Sequence, residues 1–255
     1  MKPAPIRKPE AFTRIEMMLV VIALLALVFV LFSMIIAPRI QVHAKAVRIG
    51  CVNNLKEIGT AYRIWANDNG DCFPAAQSVA YGGWREILTN ADQGFLCWTN
   101  YAIMQNEMGQ SPRIVLCPSD ERQPAATFSN FADINLSYFV GVSANDSQPQ
   151  SLLGGDRNLG GGTTPRDDYG FSPAGGKGND VAIQTNSQTG PVCWSLKIHS
   201  GGRKAGAGNI LLGDGSVQQV TSGNFRSNYQ PLAGQTTNWP AGHVPSSPSI
   251  RVLFP

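Results

Sequence analysis

Residues whose types could do chemistry stand at a few places in this 255-residue chain. Arg14 and Glu16 sit at the mouth of an apolar run, "AFTRIEMMLVVIALLALVFVLF" over 11–32. A carboxylate there is expensive to bury in lipid unless an opposite charge accompanies it. "NDNGD" at 67–71 has calcium-loop composition, but the twelfth position from Asp68 is Val79, where an EF-hand needs a bidentate Glu, so that reading is rejected. Late in the chain, His199 and Asp214-Gly215 enclose fourteen residues and could share a hydrogen bond across a hairpin. No Gly-X-Ser-X-Gly elbow and no third partner accompany them, so a hydrolytic site is not expected and the chain reads as a non-enzyme. Asp156 in "LLGGDRN" and Asp214 in "LLGDGS" occupy similar local sequences. On neighbouring strand ends their hard oxygens would suit calcium, the one cofactor the sequence leaves open; the competing reading is that each caps its own turn. Asp167 and Asp168 lie in a separate polar loop.

The five cysteines are Cys51, Cys72, Cys97, Cys117 and Cys193. In an oxidising compartment they allow two disulfides at most, and no pair has metal-ligand spacing. Cys51 falls on the packing face of a helix and Cys117 on an expected core strand, so a bridge and two buried thiols are equally open.

Those positions imply the elements that must hold them. Residues 17–37 carry no charge, and 21 helical residues span about 30 Å, the thickness of a bilayer core. The run is too long for a secretory h-region and no small-residue cleavage site follows it, so it is expected to stay in the product. Basic residues before it predict a cytoplasmic N-terminus and an exported body. Pro38 predicts a bend near 34–38. Beyond it Ile40, Ala44, Val47, Cys51, Leu55, Ile58, Tyr62 and Trp65 recur at spacings of three and four, one face of a helix of about 55 residues. Lys45, Arg48, Asn53, Lys56 and Arg63 lie opposite, and Gly70 in "NDNG" suits the stop.

The body reads as turn-rich and mixed. Short helices are expected at 83–90 and 98–109, and strands at 112–120, 136–142, 150–155, 192–198, 209–214 and 216–220. Asp214-Gly215 predicts a two-residue type I′ hairpin, hence antiparallel sheet. Gly, Pro and Asp between 160 and 180 predict an exposed mobile loop, and "SIRVLF" at 249–254 an edge strand. The domains are then a basic leader (1–11), a transmembrane helix (12–39), the exported half of the same helix (40–69) and a globular α+β domain (70–255).

The basic leader ending in a small residue, then "FTRIE", then the apolar run, resembles the class III signal of type IV prepilins and type II secretion pseudopilins. The resemblance implies a pilin-like fold, cleavage by a prepilin peptidase between Ala11 and Phe12, and N-methylation of Phe12. It also implies a fifth-position carboxylate, Glu16, that neutralises a neighbouring subunit's N-terminal amine during assembly. Ala11 replaces the family's usual Gly and Arg14 its usual Leu; near a helix end Arg14 can snorkel to the headgroups. "RIGCVNNLKEIGTAYRIWANDNGD", "LCPSD", "SYFVGV", "GGDRN" and "LLGDGSV" after a late His extend the likeness to the large pseudopilin-like proteins of planctomycetes and their relatives. Some of those carry His, nine residues, then Asp-Gly; here the loop is longer.

The implied role is structural: an inner-membrane, single-pass subunit of a type II secretion or type IV pilus-like filament. Its implied partners are the prepilin peptidase, other pseudopilin subunits, an assembly ATPase and a platform protein. A net charge of +3, of which +2 lies in the first eleven residues, gives no nucleic-acid surface. The alternative is a membrane-tethered binding module that never polymerises; Trp84, Trp98, Tyr169 and Trp239 then either stack on a polysaccharide or, an equally open reading, belong to the core. A third reading, an anchored hydrolase, would depend on His199.

Overall fold

Apolar residues at helical spacing set the first element. The computed structural model describes residues 13–87, 96–173, 178–184, 190–199, 205–229 and 249–255, with the backbone alone described at 35–44, 180, 182–184 and 249–250. The processing positions Ala11 and Phe12, and Trp239, lie outside the described residues. Helix α1 spans Arg14–Asp68, 55 residues, and its backbone remains helical through Pro38.

The chain divides into two compact units, Met1–Ala46 and Val47–Pro255. In the first, every side chain described from 13 to 34 is exposed, and Arg14–Met34 is long and apolar enough to cross a membrane, with a mean hydropathy of 3.0. A capping box closes the start of α1. Thr13 N–H donates to Glu16 Oε2 at 2.8 Å, and Glu16 N–H donates back to Thr13 Oγ1 at 3.3 Å. The Thr-x-x-Glu spacing thereby satisfies helix-end donors with the chain's own side chains.

In the second unit the expected stripe of α1 is buried at Cys51, Leu55, Ile58, Tyr62 and Trp65, while Asn53, Lys56 and Arg63 are exposed. Gly59 lets the helix approach the strand that carries Leu211: a Cβ there would lie 2.8 Å from Leu211 Cδ1. The helix ends where Gly70 takes φ 74° and Asp71 N–H returns to Ala66 O at 2.9 Å.

Alternating apolar residues on both faces of the strands require a sheet covered on both sides. The strands are β1 (Tyr138–Gly141), β2 (Leu152–Asp156), β3 (Leu159–Gly161), β4 (Asn179–Gln184), β5 (Val192–Trp194), β6 (Ala207–Leu212), β7 (Val217–Thr221) and β8 (Ser249–Phe254). Six of them form an antiparallel sheet, β4-β8-β1-β2-β6-β7, and β3 pairs with β5 in a second. Tyr138, Val140, Leu153, Leu211 and Leu253 face one core with α1 and with α2 (Cys97–Ile103). Phe139, Leu152, Ile210, Leu212, Val252 and Phe254 face the other with Trp194 and Phe225. The protein is therefore α+β, with an apolar N-terminal helix and an antiparallel sheet.

Several expectations are corrected. Residues 112–120 form no strand: Pro112 opens a 3-10 turn (Pro112–Val115), and the segment is tied to α1 by Asn54 Nδ2 donating to Leu116 O (2.8 Å) and by a Cys51–Cys117 disulfide. The helix expected at 83–90 is absent from its described part, 83–87, and that at 98–109 is α2 followed by turns. β8 lies between β4 and β1 and is no edge strand. The stretch 160–180 is exposed over 162–164 and 166–168, but it is anchored. Leu196 N–H donates to Arg166 O at 2.8 Å, Phe171 N–H to Leu159 O at 2.8 Å, and β4 begins within the stretch. Four residues, 213–216, join β6 to β7; Gly215 takes φ 81° and Asp214 keeps a negative φ, so the turn is not type I′.

Candidate functional site

β2 ends at Asp156, and Arg157 and Asn158 follow it, so three buried polar residues stand in a row after the apolar part of the strand. Arg157 turns to Asp120, with Nε donating to Oδ2 at 2.7 Å and a terminal nitrogen to Oδ1 at 2.8 Å. The Ser137 hydroxyl adds a third bond at 2.7 Å. Burial raises the Asp120 carboxyl, but the bonds and charge of Arg157 outweigh that and hold it below the usual carboxylate range. The guanidinium carbon of Arg157, Cζ, lies 3.4 Å from the centre of the Tyr169 ring.

Asp156 is treated differently. It is fully buried, and Oδ2 accepts the Asn209 N–H at 2.6 Å, while among the described residues Oδ1 accepts no hydrogen bond. Burial pushes its carboxyl up to about 8, against the Asn209 N–H and the Arg48 charge, which pull it down. His199 Nε2 stands 3.4 Å from the same Oδ2 and 3.5 Å from Cys117 Sγ. Burial, then the Arg48 charge, lowers the imidazole to about 4. Near neutral pH the contact joins a protonated carboxyl to a neutral ring and is not an ion pair.

His199 reaches this place through a strained turn. Asn158 Nδ2 grips the carbonyls of Ser195 (3.4 Å), Lys197 (3.0 Å) and Ala207 (3.3 Å), and Ile198 is forced to φ 59°. A β-branched residue in the left-handed region costs about 1–3 kcal/mol, strain that native structures keep mainly at functional positions. The sulfurs of Cys51 and Cys117 and a ring nitrogen of His199 all lie within 4.8 Å of one another.

The sequence candidates separate. His199 meets Asp156; Asp214 sits on an exposed turn, where Oδ1 accepts the Ser216 N–H at 2.8 Å, so it caps its own turn. Asp214 N–H bonds Pro149 O, ahead of β2, whereas Asp156 closes β2, so antiparallel pairing puts the two at opposite ends of one strand and the calcium pairing is not formed. Asp168 accepts from Arg166 at the surface. Trp84 is buried, which is the core reading of the two left open, and Trp98 and Tyr169 are half-buried. Arg48, placed on the solvent face by periodicity, is half-buried with its charge felt at the site. Sequence reasoning missed Asp120, Arg157 and the convergence of Cys51, Cys117 and His199; the one available signal was a run of polar residues directly after "LLGG". Cys97 and Cys193 are buried free thiols, the first donating to Leu253 O at 3.4 Å. Set against known protein families, curated proteins and solved structures, the chain matches none of them.

Proposed function

We propose that the chain is a prepilin-like structural subunit, processed before Phe12 and assembled through its N-terminal helix into a secretion or pilus-type filament. The observation that carries this is the head of α1: "FTRIE" after a basic, small-residue-terminated leader, running into the apolar segment Arg14–Met34. Apolar helices that leave lipid for a filament core keep an apolar environment, so little hydrophobic energy opposes assembly. The body would then be exported and the N-terminus cytoplasmic. Cleavage before Phe12 leaves the Thr13 amide intact, so the capping box survives in the product, and Glu16 must leave it or share it to meet a neighbour's amine. The test is expression with and without the cognate prepilin peptidase, followed by intact mass and N-terminal peptide sequencing. A product starting at N-methylated Phe12 is expected; an uncut chain beside an active peptidase contradicts the proposal.

A second reading, the non-polymerising tethered binding module, is favoured by a cleft of about 410 Å³ lined by Glu121, Arg122, Gln123, Asn135, Arg157 and Tyr169. Such a tether tolerates loss of the Glu16 charge, and a filament subunit does not.

A further inference from the structure

Three donor atoms from distant parts of the chain, Cys51 Sγ, Cys117 Sγ and a ring nitrogen of His199, lie within 4.8 Å of one another, and Asp156 Oδ2 stands on the far side of the imidazole contact, 3.4 Å from His199 Nε2. All four residues are buried. For zinc, with bonds of about 2.3 Å to sulfur and about 2.0 Å to nitrogen and oxygen, a tetrahedral site has an S···N edge of about 3.5 Å and an N···O edge of about 3.3 Å. The observed Cys117 Sγ···His199 Nε2 and His199 Nε2···Asp156 Oδ2 separations are 3.5 Å and 3.4 Å. The two sulfurs are bonded to each other, so neither is free to ligate in this state, and the carboxylate must move toward them for a four-coordinate site to close.

We propose that Cys51, Cys117, His199 and Asp156 form a redox-gated site for a zinc-class divalent cation, closed while the disulfide is intact and open once it is reduced. A dithiol reductant supplies two electrons and two protons: the S–S bond breaks, Cys51 and Cys117 become thiols, and the dithiol leaves as its own disulfide. Metal entry then displaces both thiol protons and the Asp156 proton. Two thiolates and one carboxylate around a dication leave one net negative charge, which the neighbouring Arg48 cation offsets. The same arrangement gives a use to the carboxylate oxygen that accepts no hydrogen bond among the described residues, and to the strained Ile198 that precedes His199.

The test uses the full chain in detergent, reduced with a dithiol, desalted under nitrogen and titrated with Co²⁺ alone, then with Zn²⁺. One Co²⁺ per reduced chain is expected, with thiolate-to-cobalt charge-transfer absorption and the visible bands of a tetrahedral ion, all abolished by Zn²⁺ and absent from the oxidised chain. His199→Ala and Asp156→Asn should each weaken binding by more than the roughly 10- to 100-fold typical of losing an outer partner. A variant with Cys72, Cys97 and Cys193 all changed to Ser should bind as the parent does. Near-ultraviolet circular dichroism checks folding at each step. A reduced chain that binds no cobalt, binds it without thiolate absorption, binds equally well without His199 and Asp156, or loses its tertiary signal and fails to regain it with metal overturns the proposal.

Discussion

Asp120 and Asp156 are buried aspartates near the same strand end, and they are handled in opposite ways. Arg157 turns a two-pronged guanidinium onto Asp120 and keeps it charged, whereas Asp156, one residue before Arg157 in the chain, gets a backbone N–H, the field of the Arg48 cation and a neutral imidazole. The result is one carboxyl held below the usual range and another pushed up to about 8. Burial alone therefore does not decide ionisation; geometric access to a full opposite charge does. The first arrangement is what a structural cross-link requires, and the second is what a site waiting for a cation requires.

The contrast breaks most visibly at Arg157. Arg157→Met leaves Asp120 charged and unpaired in the core, and unfolding by urea should show a loss of about 3–5 kcal/mol. Asp156→Asn should cost far less near neutral pH, because the native carboxyl is already protonated there; equal losses would erase the distinction. Next in size is the disulfide, which closes a 66-residue separation. Reduction, or the Cys51→Ala and Cys117→Ala pair, should cost about 2–5 kcal/mol by the same measurement.

A pH series sharpens the comparison further. The folded pKa of Asp156 is raised above its unfolded value of about 4, so its contribution is fully present below that value and is lost as pH rises toward about 8. Asp133, raised to about 7 mainly by burial, runs in the same direction, so the signature is the difference between parent and Asp156→Asn. Stability of the parent should fall relative to the variant between those limits, by at most about 1.4 kcal/mol per pH unit for one proton. Asp120 has the opposite sign: its contribution is present above its unfolded pKa and is lost as pH falls through the lower folded value, so Asp120→Asn should flatten the acid limb.

The smallest effect on stability is expected at Glu16, and it separates two roles. Gln at this position still accepts the Thr13 N–H, so Glu16→Gln should keep the start of α1 protected from amide exchange, whereas Glu16→Ala should expose it. If the charge also serves assembly, Glu16→Gln abolishes filament formation without that exposure.

Much of the fold was legible because strands and helices repeat locally. "YFVG", "LLGGD", "NILL" and "VQQV" declared their strands, and the buried stripe from Cys51 to Trp65 declared the packing face of α1. Strand neighbours were not legible: nothing in "SIRVLF" says that it lies inside the sheet, since alternation fixes faces and not order. "PRIVLCPSD" misled because its apolar residues serve a disulfide-anchored turn against α1. The site was illegible for the same reason, because Cys51, Cys117 and His199 meet across separations of 66 and 82 residues, where no local spacing rule applies. Arg48 was misplaced because helical periodicity does not record a neighbour that buries the polar face.

The most direct test of the division between the two aspartates is ¹³C NMR of the aspartate side-chain carboxyls of the full chain in micelles, assigned with Asp156→Asn and Asp120→Asn. The Asp156 resonance should titrate near 8 and that of Asp120 should hold its ionised position throughout the neutral range. Both titrating together in the ordinary carboxylate range would contradict it.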